Sequence, residues 1–197
     1  MVTVEIIRCQ GCGANLSPNN TTCEYCGSVN VIKAKENPFS LDESLTKKYV
    51  NYFKDKVKSE PSDGEAVFSL GLFYLRLKLY DFAIRNIEKA IELMPEESDV
   101  YYYYALSLMK GRKPKLISLT EIKKIEGFIN TAIQLNDANG NYYYLWALIK
   151  YDFYLKNGLR SPDPSLDYLL DELKTKELSV NELEKIKEMI PVTDFNL

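Results

Sequence analysis

The chain has 197 residues, 46% hydrophobic and 27% charged, which is enough to bury a real core as one domain or as a small module joined to a larger one. Its net charge is −3 with acids and bases interspersed, so bulk electrostatics give no pull toward nucleic acid or an anionic membrane. Histidine is absent, which removes the commonest general base and every Ser-His or Cys-His nucleophile pair, limits any zinc site to cysteine and carboxylate ligands, and argues against an enzyme.

The opening MVTVEIIRC lacks a charged start followed by a long apolar run, and no stretch of about 18 uninterrupted apolar residues follows. A soluble, cytoplasmic protein with no membrane association is expected. In a reducing compartment, closely spaced cysteines favour metal binding over disulfides.

All four cysteines fall within residues 1–36, as Cys9-Gln-Gly-Cys12-Gly13 and Cys23-Glu-Tyr-Cys26-Gly27. Two residues between thiolates let a tight turn present both sulfurs to one ion, and the glycine that follows accepts a positive φ. β-Branched residues in Val2–Ile7 and Ser28–Ile32 suit short flanking strands. The two C-x2-C-G knuckles, ten residues apart, resemble a zinc ribbon. Four cysteine ligands, Cys9, Cys12, Cys23 and Cys26, leave no open position for water, so the single Zn2+ expected here is structural. So short a segment lacks the apolar content to fold alone and would draw on metal binding for its stability. A redox pair also uses C-x2-C, but that reading expects one such motif in a βαβ context. The ribbon carries Arg8, Lys33 and Lys35 against Glu5, Glu24 and Glu36, which leaves no basic footprint.

Asn37-Pro38-Phe39 reads as a linker, and residues 37–197 as one helical domain. Ser40-Leu-Asp-Glu43 has the form of a capping box opening a helix over 40–60, with Leu45, Tyr49, Tyr52, Phe53 and Val57 on its apolar side. Residues 64–97 then hold two apolar-periodic segments joined by a turn near Lys78 to Asp81 and closed by Pro95. Counting from Gly64 as position 1, Leu70, Gly71 and Tyr74 fall at 7, 8 and 11, and Ala83, Ala90 and Pro95 at 20, 27 and 32. This spacing resembles a tetratricopeptide (TPR) repeat. The physics agrees: Gly71, Ala83 and Ala90 permit close helix approach, while Leu70 and Tyr74 fill the space beside them.

The pattern restarts at Ser98, with Tyr101, Tyr104, Ala105 and Leu108 at positions 4, 7, 8 and 11, and residues 98–139 form a second repeat. Ile129 and Ala132 resume it only after an insertion of about eight residues. Within the insertion lie Lys110, Arg112, Lys113 and Lys115, candidate contacts for an anionic group or, on the simpler reading, a solvated turn. Ser118-Leu-Thr-Glu121 follows as a capping box. A degenerate third repeat over 140–176 places Tyr143, Trp146 and Ala147 at positions 4, 7 and 8, with Lys150 where an aromatic is expected. Asp163-Pro164 suits an N-cap and first turn for a helix through Leu166, Leu169, Leu170 and Leu173. Ser179-Val-Asn-Glu182 opens a last helix over 179–191 that caps the array.

The fold class implied by the resemblance is mainly α: a TPR-like superhelix of about three helix hairpins after a small β-type ribbon. The family recognises partners on the concave face, at positions 2, 5, 9 and 12 of each first helix. Here position 2 holds Glu65, Asp99 and Asn141, and the groove proper Phe68, Leu72, Leu75, Tyr102, Leu106, Met109, Tyr144, Leu148 and Tyr151. A carboxylate clamp of that family needs Lys and Asn at positions 5 and 9, which this chain lacks. An apolar, tyrosine-rich stripe suits an amphipathic helix or apolar peptide of a protein partner. It could equally be covered by the 40–60 helix, the last helix or the ribbon. The expected function is therefore a non-enzymatic protein-interaction adaptor, the alternative being a nucleic-acid-associated factor that uses the ribbon and the 110–115 loop.

Overall fold

Val4, Ile6 and Cys9 are buried while Glu5 and Arg8 are exposed, and the stretch Val4–Cys9 forms β1, the central strand of a sheet. The computed structural model describes residues 2–29 and 31–195, the side chains of residues 34 and 182 excepted. It is mainly helical with one small antiparallel sheet, and its contacts divide the chain into two units, Met1–Leu93 and Met94–Leu197.

In the first unit β1 pairs on one side with β2 (Asn15–Leu16), Ile7 facing Leu16, and on the other with β3 (Val31–Glu36), Val4 facing Glu36 and Cys9 facing Val31. The third strand begins later than the sequence suggested. Ser28 is still engaged in the second knuckle, where its carbonyl accepts the Cys23 N–H at 2.8 Å, so pairing starts only beyond it.

A 3-10 turn over Pro38–Ser40 follows, capped by the Asn37 side chain, and α1 spans Glu43–Ser59. Its N-cap is Asp42, whose carboxylate accepts the Leu45 N–H at 2.8 Å, and not Ser40 as the capping-box reading had it. Pro38 draws Ser40 into the preceding turn, where its hydroxyl donates to the Asn37 carbonyl, and the cap passes to the next short acceptor. Leu45, Tyr49, Val50 and Phe53 form the buried face of α1, and Phe73 of α2 (Gly64–Arg76) lies 5.6 Å from the rings of both Tyr49 and Phe53. Asp63 caps α2 and also pairs with Lys56 at 2.7 Å, which fixes the turn between the two helices.

α2 packs on α3 (Tyr80–Leu93) as a hairpin. A Cβ at Gly71 would lie 2.5 Å from Ile87 Cγ1, and Ala83 and Ala90 are fully buried, so the small residues mark the close approach their spacing implied. Each Leu or Phe buried alongside contributes about 1.5–3 kcal/mol.

The second unit begins with α4 (Ser98–Met109) and, after a 3-10 turn over Pro114–Leu116, α5 (Leu119–Leu135), which pack together. The Ser118–Glu121 capping box forms in full, as its sequence indicated. Next come α6 (Gly140–Ile149), which continues into a π-helical turn over Lys150–Leu155, then α7 (Leu166–Leu173) and α8 (Val180–Met189). α6 packs on α5, α7 and α8. It is buried on every side, consistent with its lack of any charged residue before Lys150.

The cap of α7 is Ser165, which accepts the Tyr168 N–H, and not Asp163. Pro164 lies ahead of the helix, and the hydroxyl next in line takes the N-cap place. The box expected between Ser179 and Glu182 falls on a side chain outside the described residues. Gly140 has a tertiary role: its N–H donates to the Glu177 carbonyl at 2.8 Å, and a Cβ there would come within 2.9 Å of that oxygen.

Candidate metal centre and interaction residues

The two knuckles have the same hydrogen-bond plan. Cys9 N–H donates to the Ala14 carbonyl and Gly13 N–H to Cys9; in parallel, Cys23 N–H donates to Ser28 and Gly27 N–H to Cys23, at 2.8 to 3.0 Å. Each turn also aims an N–H at its first sulfur, Gly11 at Cys9 Sγ (3.3 Å) and Tyr25 at Cys23 Sγ (3.4 Å). Gly13 and Gly27 close the turns at φ +74° and +70°, the left-handed region their type permits.

The four sulfurs converge within 4.8 Å of one another, with Cys9 3.6 Å from Cys26 and Cys12 3.7 Å from Cys23. Such a group could hold a metal ion. The backbone N–H of Cys12, helped by that of Gly11 and the neighbouring sulfurs, draws the Cys9 thiol down to about 6. At Cys26 the Ser28 N–H lowers the thiol, but the sulfurs of Cys9 and Cys12 together with burial outweigh it and push it up to about 12. The N–H groups therefore favour negative charge on sulfur, as metal ligation requires.

The ribbon is anchored to α1 through a residue the sequence marked only as apolar. Tyr49 Oη accepts the Ile7 N–H at 2.6 Å and donates to the Leu16 carbonyl at 2.9 Å, joining β1 and β2 from below. Burial pushes its phenol up to about 12, although the Ile7 N–H acts in the other direction. Lys48 Nζ adds a bond to Ser17 Oγ.

The residues assigned to a groove are largely covered. Phe68, Leu72 and Leu75 in the first unit and Tyr102, Leu106, Met109, Tyr144 and Leu148 in the second are all buried, while Tyr151 is partly exposed. In α4 and α6 the neighbours are identifiable. Tyr102 packs on Tyr103 and Tyr142, and Tyr142 donates to Asp99 Oδ1 at 2.6 Å and contacts Ser98. Tyr144 and Tyr151 meet a side chain from beyond the last helix: Phe195 lies 5.4 Å and 5.2 Å from their rings. Lys156 pairs with Asp194 at 2.6 Å, and Tyr151 Oη donates to the Asp194 carbonyl. On the same stripe, the buried Asn141 Oδ1 has no partner among the described residues.

The cations of the 110–115 loop are partly engaged. Arg112 pairs with Glu121 at 3.2 Å and also donates to the Met109 and Leu108 carbonyls. Lys110 ends α4 in the left-handed region, and Lys113 precedes the 3-10 turn. Lys115 is held by its backbone, whose N–H donates to Asp152 Oδ2 at 3.1 Å.

That contact leads to a buried ionic network absent from the sequence reading. Lys150, 1% exposed, pairs with Glu126, 7% exposed, at 2.8 Å and donates to the Pro162 carbonyl at 3.0 Å. Glu126 also accepts Trp146 Nε1–H at 3.0 Å and Tyr154 Oη–H at 2.8 Å. Burial, then this carboxylate, pushes the Tyr154 phenol up. Asp152, fully buried, takes Lys156 at 3.1 Å together with the Lys115 N–H, so the π turn pins the insertion. The one signal in the sequence was Lys150 standing where an aromatic belonged.

No helix among the described residues is long and apolar enough to cross a membrane. Set beside known proteins, the chain matches no family model and no curated sequence. Among solved structures, a crystal structure of MamA aligns over 76% of this chain and 71% of that one, at 19% identity and a TM-score of 0.49. A second, named "MamA MSR-1 C2", aligns over 76% and 81% at 18% identity and a TM-score of 0.44.

Proposed function

We propose that this chain is a non-enzymatic interaction protein, a TPR-like array of helix hairpins whose ribbon is held by one structural zinc ion and whose tyrosine-rich stripe receives an apolar or amphipathic segment of a protein partner. The donor set supports zinc. Four thiolates around an ion with bonds of about 2.3 Å would stand about 3.8 Å apart in a tetrahedron; two of the six sulfur pairs are at 3.6 and 3.7 Å, and all lie within 4.8 Å. Cys9, Cys12, Cys23 and Cys26 would fill every position, so the ion would supply folding energy and no reactive water.

The observation that carries the interaction reading is Phe195. An aromatic from a non-helical segment seats between Tyr144 and Tyr151, on the stripe where the repeat pattern places partner contacts. The nucleic-acid alternative has less support, because Arg8 pairs with Glu36, Lys33 with Glu5 and Arg112 with Glu121. The ions that give nucleic-acid affinity are in this way partly neutralised within the chain.

Two experiments test the reading. Elemental analysis should find one zinc per chain, with the four thiols unreactive until chelator is added; reactive thiols in the untreated protein would argue for the redox alternative. For the stripe, affinity capture from the native cell is compared with a Phe68→Ala, Tyr102→Ala, Tyr144→Ala chain whose fold is verified by circular dichroism, with Phe68→Leu, Tyr102→Phe and Tyr144→Phe as a gentler set. Partner capture that survives in folded variants would sink the assignment.

A further inference from the structure

The segment after α8 is short and irregular, yet it is held at specific points. Val192 and Phe195 are buried, Phe195 between two tyrosine rings, while Asp194 remains largely outside and pairs with Lys156. Tyr151 Oη donates to the Asp194 backbone carbonyl, a contact any residue at that position could make. The receiving surface thus has three parts: an aromatic slot, a cation beside it, and a hydroxyl for the backbone. These are the elements by which a folded surface reads an extended peptide, with side-chain pockets giving specificity and main-chain bonds giving register.

We propose that the face of α6 and its π-helical continuation carrying Tyr144, Tyr151 and Lys156 is a subsite for an extended peptide in which an acidic residue directly precedes an aromatic one, and that Val192–Phe195 fills it in cis as an exchangeable stand-in. The inference rests on the interaction reading above and names the chemistry of the partner.

Charge complementarity selects the acidic residue. Lys156 already satisfies the buried Asp152, and its second carboxylate partner, Asp194, is supplied from outside the helix. The aromatic preference follows from the slot, since Phe195 sits tilted against both rings at distances typical of favourable aromatic pairs. Exchange follows because no strand ladder or helix holds the segment among the described residues. Among the described residues its backbone makes one bond to other backbone, Val192 N–H to the Ile190 carbonyl, beside the Tyr151 hydroxyl bond to the Asp194 carbonyl, and segments with so few backbone bonds open locally at far lower cost than the core. A segment bound in cis lowers the apparent affinity for a competitor by the fraction of time the site is open.

The test uses a fluorescein-labelled peptide with the sequence of residues 190–195, titrated by fluorescence anisotropy against the full chain. An Asp194→Ala, Phe195→Ala chain, which empties the subsite, should bind at least about tenfold more tightly than the wild type, and the wild type should still saturate. Adding Lys156→Glu to the emptied chain should remove that gain, and a peptide with lysine in place of its aspartate should restore it. Absence of binding by a correctly folded emptied chain overturns the proposal. So does a wild type with no saturable binding up to about 1 mM, because the segment would then be permanent core. Should the double variant not fold, Asp194→Ala alone, which removes only the ion pair, must give a smaller gain, and no gain overturns the proposal. Wild-type dimers that the peptide dissociates, seen by light scattering, would make a second copy of this chain the occupant and overturn the stated partner class. The titration reads Tyr144, Tyr151 and Lys156 only, so its failure leaves the capture readings at Phe68 and Tyr102 standing.

Discussion

In the ribbon the buried centre consists of Cys9, Cys23 and Leu16 with Ile7, Ala14 and Val31 packed around them, whereas in the second unit the polar centre of Glu126 and Lys150 lies beside the Trp146 and Tyr154 rings. One region has a small apolar core and gathers its four thiols at one point. The other has a large apolar core and tolerates a charge pair inside it. The difference shows two ways to make buried polarity affordable: collect it around a single strong centre, or satisfy each atom separately. Glu126 and Lys150 follow the second route, with Trp146, Tyr154 and the Pro162 carbonyl completing their bonds.

The largest expected effect comes from breaking the ribbon's centre. Chelator, or Cys9→Ser, should remove most of the ribbon's stability, on the order of 10 kcal/mol by analogy with structural zinc sites. Hydrogen exchange should show β1 to β3 losing protection while α4 to α7 keep theirs. Equal loss in both regions would erase the contrast. Next, Lys150→Ala leaves Glu126 buried without its cation and should cost about 3–5 kcal/mol, read by urea unfolding with the single tryptophan as probe. Replacing both members, Lys150→Met with Glu126→Leu, should recover much of this.

A smaller effect lies where the ribbon meets α1. Tyr49→Phe keeps the packing but strands the Ile7 N–H and Leu16 carbonyl, at a cost of about 1–3 kcal/mol. It should also speed zinc loss to a chelator; an unchanged rate would show that the ribbon does not depend on this bond. The smallest effect is in acid. Asp63 is lowered even though burial pulls it upward, because Lys56 and the Ala66 N–H outweigh that pull, and Glu121 is lowered chiefly by Arg112. A carboxyl depressed in the folded state binds protons more readily when unfolded. Its stabilisation is therefore complete above about pH 4 and fades as pH falls through the lower folded value. Urea midpoints measured from neutral to acid pH should decline there, with a shallower slope in Asp63→Asn.

Much of this architecture was legible because its physics leaves a spacing. Cysteines with two residues between them announce a knuckle, and Gly71, Ala83 and Ala90 announce a close helix crossing, since each must stand at a fixed interval to do its work. Helix starts were less legible. Ser40 and Asp42 lie two residues apart, as do Asp163 and Ser165, and only the backbone geometry chooses between acceptors of similar quality. Glu126 and Lys150 are 24 positions apart with no periodic mark, and Tyr49 looked like any aromatic on an apolar face because its hydroxyl partners are backbone groups of another element. What sits against Tyr144 and Tyr151 was also hidden: Phe195 belongs to no helix, so no periodicity pointed to it.

The π-helical turn at Lys150–Leu155 has a consequence for comparing this chain with others. A wider turn uses up residues without advancing the pattern, so a repeat count restarted at Gly140 falls out of step after Ile149. Any alignment of the region must open a gap there, and side chains beyond it should be matched by the bonds they make, as with Asp152 to the Lys115 N–H, and not by their count from Gly140.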